Sequence, residues 1–94
     1  MQTVRIVIAD DHQLFIAGLK TILSSTEKYN FEIVGIANDG ESVIQLLKST
    51  PADLLMLDLN MPERDGLDVI SAIRGLYSEL RIIALTMYLS LIHI

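Results

Sequence analysis

The sequence predicts an α/β fold in which a parallel β-sheet is covered by helices on both faces. Short apolar stretches alternate along the chain with stretches in which apolar residues recur at helical spacing. The helical stretches are about 10 to 15 residues long, as in crossovers between parallel strands. Several of the short stretches are almost wholly apolar, which is typical of strands buried on both faces. At 94 residues, the chain is expected to form one domain.

The first unit of this pattern is a strand at residues 4–9, followed by a helix at residues 12–25. The strand reads VRIVIA and ends at Asp10, and Asp11 can cap the helix. The apolar face of this helix is predicted to comprise Phe15, Leu19, Ile22 and Leu23.

The second unit begins with a strand at residues 31–37, where the polar Glu32 and the pliable Gly35 indicate a position near an edge of the sheet. Asn38 or Asp39 can cap the helix that follows. Its buried stripe is predicted to comprise Val43, Ile44 and Leu47, before Ser49 and Pro51 end it.

The third strand is predicted at residues 54–57 and ends at Asp58, and a loop at residues 59–66 follows it. Helical spacing then resumes at Ile70, Ile73 and Tyr77. A fourth strand is predicted at residues 81–86, so the pattern comprises three β/α units and a fourth strand.

Composition limits the classes of partner. Twelve acidic against seven basic residues give a net charge of −5, which argues against direct binding to nucleic acid or to an anionic membrane surface. The uncharged stretch at residues 82–94 is too short to cross a bilayer, and residues 1–11 do not resemble a secretory signal. The absence of cysteine fits a reducing compartment, so we expect a cytoplasmic protein.

Carboxylates follow two of the predicted strands, at the edge where parallel sheets bind ligands. If the first and third strands are neighbours, Asp10, Asp11 and Asp58 converge there. A divalent cation would offset the repulsion of three carboxylates, and Mg²⁺ is the first choice for such oxygen ligands. The alternative is that Asp10 and Asp11 cap a helix and keep the strand edge soluble. His12 beside them is open to interpretation as a metal ligand, although we favour a position at the helix start.

Thr86, at the end of the fourth strand, adds a hydroxyl to the same edge. The segments IVIADDHQLFIAGLK and LLMLDLNMPERDGLDVI resemble the receiver domain of bacterial two-component response regulators. The opening DDHQLF is most similar to the subfamily whose output domain is a LuxR-type helix-turn-helix. The resemblance covers residues 4 to about 87, so we divide the chain into a receiver domain at residues 1–88 and an apolar tail at residues 89–94.

The resemblance implies a flavodoxin-like sheet with strand order 2-1-3-4-5. It implies that Asp58 accepts a phosphoryl group from a histidine kinase and that Mg²⁺ is bound directly by Asp11 and Asp58. Asp10 would act largely through water, the backbone carbonyl of Asn60 would complete the protein ligands, and Thr86 would hydrogen-bond the phosphoryl group. Regulation of transcription would then depend on an output domain that is absent from this chain, and the protein would not be an enzyme.

The sequence departs from the family after the fourth strand. No fifth strand is identified, and the family's lysine at the end of that strand has no counterpart, because no lysine or arginine follows Arg81. A fourth strand without a neighbour exposes backbone groups along its edge, so we expect homo-oligomers formed through that edge. The tail at residues 89–94 could pair as a strand across such an interface.

Two other functions were considered. A chain incapable of phosphorylation could persist as a self-associating interaction module. An aspartate-dependent phosphohydrolase would also place its nucleophile after an apolar strand. Such enzymes resemble D-x-D, whereas this chain has Asn60 at the second position, and an amide cannot act as general acid and base.

Overall fold

The computed structural model describes residues 2–10, 12–59, 66–85 and 91–93. These residues form five strands and three helices, and the elements from the first strand to the fourth follow the predicted alternation. They are β1 (Thr3–Ala9), α1 (Gln13–Ser24), β2 (Asn30–Ala37), α2 (Gly40–Ser49), β3 (Leu54–Asp58), α3 (Gly66–Leu76), β4 (Arg81–Leu85) and β5 (Leu91–His93). No helix in the described part of the chain is long and apolar enough to cross a membrane.

The strands form one sheet in the order β2-β1-β3-β4-β5, in which the order of the first four strands confirms the predicted flavodoxin-like order. The pairs β1–β2, β1–β3 and β3–β4 are parallel. β2 lies at an edge, as Glu32 and Gly35 indicated. Because β1 and β3 are neighbours and Ala9 pairs with Leu57, the residues that end these two strands lie side by side.

Each face of the sheet packs against helices and forms its own apolar core. On one face, α2 and α3 cover a large cluster that includes Val7, Leu55 and Ile73, all three fully buried. On the other face, α1 contributes Ile16 to a smaller cluster with Ile6, Ile8 and Met56. Side chains alternate between the two faces along each strand, which explains why both β1 and β3 are almost purely apolar.

The buried face of α1 differs from the predicted face. Ile16 is the buried residue of this helix, and Leu19 and Leu23 pack against the core cluster that contains Ile16. Ile22, in contrast, is 63% exposed and Phe15 is half-buried. The prediction for Ile22 was therefore wrong. The helix carries more apolar positions than its contact with the sheet can bury, so helical spacing alone did not identify which stripe faces inward.

The predictions for α2 are confirmed, because Val43, Ile44 and Leu47 are buried. Asp39 is the N-cap, and its carboxylate accepts a hydrogen bond of 2.8 Å from the backbone amide of Ser42. That hydrogen bond lowers the pKa of Asp39 below its ordinary value, because it stabilises the ionised carboxylate.

The expectation that the edge of β4 has no neighbour was wrong. β5 lies beside β4 and pairs with it in antiparallel register, from Ile83 opposite His93 to Leu85 opposite Leu91. Only residues 86–90 connect the two strands, and a parallel pair requires a crossover of about a dozen or more residues. The short connection therefore accounts for the antiparallel direction of β5.

Gly35 provides the close approach between β2 and α2, and it follows a register shift in the β1–β2 pair. A Cβ atom at this position would lie 2.8 Å from Cδ2 of Leu46. We expect Gly35→Ala to lower the free energy of unfolding by about 1 kcal/mol, because Leu46 must move to a less favourable position. Urea denaturation followed by circular dichroism measures this change.

The matched control for that substitution is Gly18→Ala in the middle of α1, where an added Cβ meets no atom within 4 Å. Alanine has the higher helix propensity, so this variant is expected to gain about 0.5 to 1 kcal/mol. Equal changes of the same sign in both variants would contradict the packing explanation at Gly35.

Candidate functional site

The candidate site is formed by two buried carboxylates at the carboxyl edge of the sheet. Asp10 directly follows β1, and its backbone amide donates a 3.0 Å hydrogen bond to the carbonyl of Ala37 in β2. Asp58 is the last residue of β3. Their exposed fractions are 3% and 4%, although both lie at the end of a strand rather than in its middle. The fold thus buries both charges at one point of the edge.

His12 contacts both carboxylates. Its Nδ1 atom lies 2.7 Å from Oδ1 of Asp10 and 3.3 Å from Oδ2 of Asp58. Its backbone amide also donates a 2.7 Å hydrogen bond to Oδ1 of Asp10, while its carbonyl accepts the first backbone bond of α1 from Ile16. His12 lies at the helix start, as favoured from the sequence, but it is itself the N-cap of α1, the position predicted for Asp11. The helix start therefore fixes the backbone of His12 next to Asp10.

Burial of two like charges is costly unless a partner compensates for them. The imidazole of His12 forms a hydrogen bond with Asp10 and lies within ion-pair distance of Asp58, while 59% of the histidine side chain is exposed. One oxygen from each carboxylate and one ring nitrogen all lie within 4.8 Å of one another. This arrangement can hold a divalent cation, and two carboxylates are an ordinary protein contribution to a Mg²⁺ site.

The structure brings together two of the five site residues predicted from the sequence, Asp10 and Asp58. Asp11, Asn60 and Thr86 lie outside the described residues, so their predicted roles remain predictions. The contact of His12 with both acids was not predicted. The signal in the sequence that could have predicted this contact is the position of His12 two residues after Asp10. The turn from strand into helix at that point directs the chain back towards the carboxylate.

A depression lies at the opposite edge of the sheet, with a volume of about 720 Å³. Its lining includes Asp53, whose carboxylate forms an ion pair of 3.3 Å with Arg5. Hydrogen bonding from the Arg5 side chain lowers the pKa of Asp53 below its ordinary value. These charges satisfy each other at the surface, so the strand-end carboxylates are the stronger candidate for chemistry.

Comparison with known proteins identifies the family of this chain. The family model described as the response regulator receiver domain matches residues 6–93. The chain therefore belongs to the response regulator receiver family.

Curated relatives of this chain include transcriptional regulatory proteins. The transcriptional regulatory protein DegU of Brevibacillus brevis is 33% identical over 85 residues, which are 90% of this chain and 35% of DegU. The probable transcriptional regulatory protein NarL of Mycobacterium tuberculosis is 35% identical over 85 residues, which are 90% of this chain and 38% of NarL. The chain thus spans little more than a third of the length of these relatives.

Solved structures of RcsB from Salmonella typhimurium are similar throughout the fold. One RcsB structure superposes with a TM-score of 0.82 at 34% identity and covers 93% of this chain and 44% of the RcsB chain. The isolated receiver domain of RcsB, determined with the phosphomimetic BeF₃⁻, gives a TM-score of 0.81 at 34% identity, over 92% of this chain and 63% of that one. The receiver fold is therefore shared.

Proposed function

We propose that this chain is a phosphoacceptor receiver domain that takes a phosphoryl group on Asp58 from a histidine kinase in the presence of Mg²⁺. The observation that supports the proposal is the pair of buried carboxylates, Asp10 and Asp58, at the ends of adjacent parallel strands in a member of this family. Burial removes most of the water from Asp58.

The transfer is a simple displacement at phosphorus. The P–N bond to the kinase histidine breaks, a P–O bond forms to a carboxylate oxygen of Asp58, and the histidine nitrogen keeps the electron pair and takes up a proton. Bound Mg²⁺ would offset the negative charge on the phosphoryl and carboxylate oxygens. Asp10 and Asp58 are the described residues that would hold the ion.

Three further roles complete the proposal for the site. Asp11 would ligate Mg²⁺ together with Asp58, and the backbone carbonyl of Asn60 would be a further ligand. Thr86 would donate its hydroxyl to a phosphoryl oxygen, a contact that can form only after transfer. The position of Thr86 in the chain fits this role, because it directly follows Leu85, which pairs with Asp58 in the β3–β4 register.

Amide NMR spectra recorded during Mg²⁺ titration, with and without beryllofluoride, test this function. Saturable shifts are expected at Asp10, His12 and Asp58, with further shifts when the phosphoryl mimic is added. Both sets of shifts should be lost in Asp58→Asn. No shift at millimolar Mg²⁺ would contradict the proposal.

The matched control is Asp53→Asn, the same change of charge at an exposed aspartate at the opposite end of β3. This variant should retain the Mg²⁺ and beryllofluoride shifts of the wild type. Loss of the shifts in both variants would indicate a general effect of net charge rather than binding at Asp58.

We further propose that the chain self-associates. On the face covered by α2 and α3, Leu55 and Ile82 are 0% and 2% exposed. On the opposite face of the same two strands, Leu54 and Ile83 are only partly buried. A second copy of the chain could cover this apolar area, and a related RcsB structure contains dimers bound to DNA. The alternative function, an interaction module without phosphorylation, would retain this association.

Light scattering at tens of micromolar protein should detect dimers of the wild type and mostly monomers of Ile83→Glu, because burying an unpaired carboxylate is unfavourable. Leu14→Glu, at a residue that is 91% exposed on α1, is the control and should remain dimeric. Deletion of residues 89–94 should increase association, because it removes the strand that pairs with β4. A monomeric wild type would contradict the proposal.

For the whole protein, we propose a cytoplasmic transcription regulator in which phosphorylation of this domain controls a LuxR-type output domain. The support is that the relatives DegU and NarL are transcriptional regulatory proteins and that this chain matches little more than a third of each. The acidic chain itself is not expected to bind nucleic acid.

A further inference from the structure

We propose that His12 is a metal ligand and that its ring nitrogen makes this site prefer a transition-metal ion to Mg²⁺. The proposal rests on the proposed function, because it concerns the same cation site, and it adds a nitrogen donor to the oxygen ligands considered above. Three side chains would then contribute: Asp10, His12 and Asp58.

The first argument is geometric. Ligand atoms at octahedral positions about 2.1 Å from a metal ion stand about 3.0 Å apart. Nδ1 of His12 is 2.7 Å from Oδ1 of Asp10 and 3.3 Å from Oδ2 of Asp58, so its two distances bracket that separation. The distance from this nitrogen to one oxygen of each acid is therefore close to the distance between two neighbouring ligands of the same octahedral ion.

The second argument is that the site holds the imidazole in place without a metal. The backbone of His12 is fixed as the N-cap of α1, and its amide is bonded to Asp10. Binding an ion would therefore require little reorganisation of the ring. Any proton on Nδ1 would leave that nitrogen for Nε2 or for solvent, and an N–metal bond would replace the hydrogen bond to Asp10.

The third argument is the chemistry of the donors. Mg²⁺ prefers oxygen ligands and gains little from an imidazole, whereas Co²⁺, Ni²⁺ and Zn²⁺ bind imidazole nitrogen well. One nitrogen beside two carboxylates should thus increase the affinity for Co²⁺ while leaving the affinity for Mg²⁺ nearly unchanged. A ring that merely positions Asp10 and Asp58 would affect both ions equally.

The test compares Co²⁺ alone and Mg²⁺ alone, each titrated by calorimetry into wild type and His12→Ala. The wild type should bind Co²⁺ at least about tenfold more tightly than Mg²⁺. His12→Ala should weaken Co²⁺ binding at least about tenfold and Mg²⁺ binding less than about twofold. Proton NMR of the Co²⁺-bound wild type should show hyperfine-shifted imidazole resonances that are lost in the variant.

Gln13→Ala, at the exposed neighbouring residue, is the control and should bind both ions like the wild type. Unchanged Co²⁺ affinity in His12→Ala, or equal losses for both ions, would overturn the role of His12 while the proposed function stands. If the wild type bound neither ion, the proposed function and this inference would both fail.

Discussion

Replacing Asp58 by Asn is expected to abolish phosphoryl transfer to this protein from a small donor such as acetyl phosphate. The amide has nearly the same size as the carboxylate but lacks its nucleophilic oxygen, so labelling should fall by at least about 100-fold. Incorporation of radiolabelled phosphate in the presence of Mg²⁺ measures the effect. Asp58 is the proposed acceptor because it ends β3 and is buried beside Asp10.

Asp10→Asn separates the role of acceptor from that of metal binding. This variant keeps Asp58, so it should still be labelled, but about 10- to 100-fold more slowly at limiting Mg²⁺. Raising the Mg²⁺ concentration should restore part of the rate in Asp10→Asn and none in Asp58→Asn. Equal and complete loss in both variants would contradict the division of roles, and labelling of Asp58→Asn would show that another residue accepts the phosphoryl group.

Leu55→Ala is expected to lower the free energy of unfolding by about 3 kcal/mol. Leu55 lies in the middle of the sheet and is fully buried in the core against α2 and α3, so removing its side chain leaves a cavity. A domain of this length has a total stability of about 5 to 14 kcal/mol, so the loss is a large part of it. Urea denaturation followed by circular dichroism gives the value.

The same substitution at Leu14 is the control, because this side chain is 91% exposed on α1. Leu14→Ala should change the free energy of unfolding by less than about 0.5 kcal/mol. Similar losses at Leu14 and Leu55 would mean that burial does not explain the stability of this sheet. If Leu55→Ala lowered the free energy of unfolding only slightly while Leu14→Ala behaved as expected, the core would have relaxed around the cavity.

The sequence determined the class of the fold and the local elements apart from β5, which it did not identify. Apolar runs that end in an acid predicted β1 and β3, and helical spacing predicted α2 with its buried residues Val43 and Leu47. These predictions succeeded because the period of the apolar residues is set by local backbone geometry. The motifs also identified Asp58 as the candidate phosphoacceptor, and the matched family agrees with the resemblance from which that role was taken.

Tertiary structure decided which face of a helix is buried and in which direction a strand pairs. The inward stripe of α1 depends on how the helix lies on the sheet, which left Ile22 exposed and buried Ile16. The direction of β5 depends on the short connection after β4 rather than on the composition of the tail. Both outcomes depend on how one segment packs against another. The spacing of residues within a single segment does not predict such packing.

The candidate site also depends partly on sequence and partly on tertiary structure. The sequence identified Asp10 and Asp58 as residues at strand ends, separated by 48 positions along the chain. Their meeting required β1 and β3 to be neighbours, and the ring of His12 reached both because α1 begins beside Asp10. Residue identity determined what chemistry the carboxylates can perform, whereas sheet order and helix position decided which groups act together, because charges and ligands interact through space over a few ångströms.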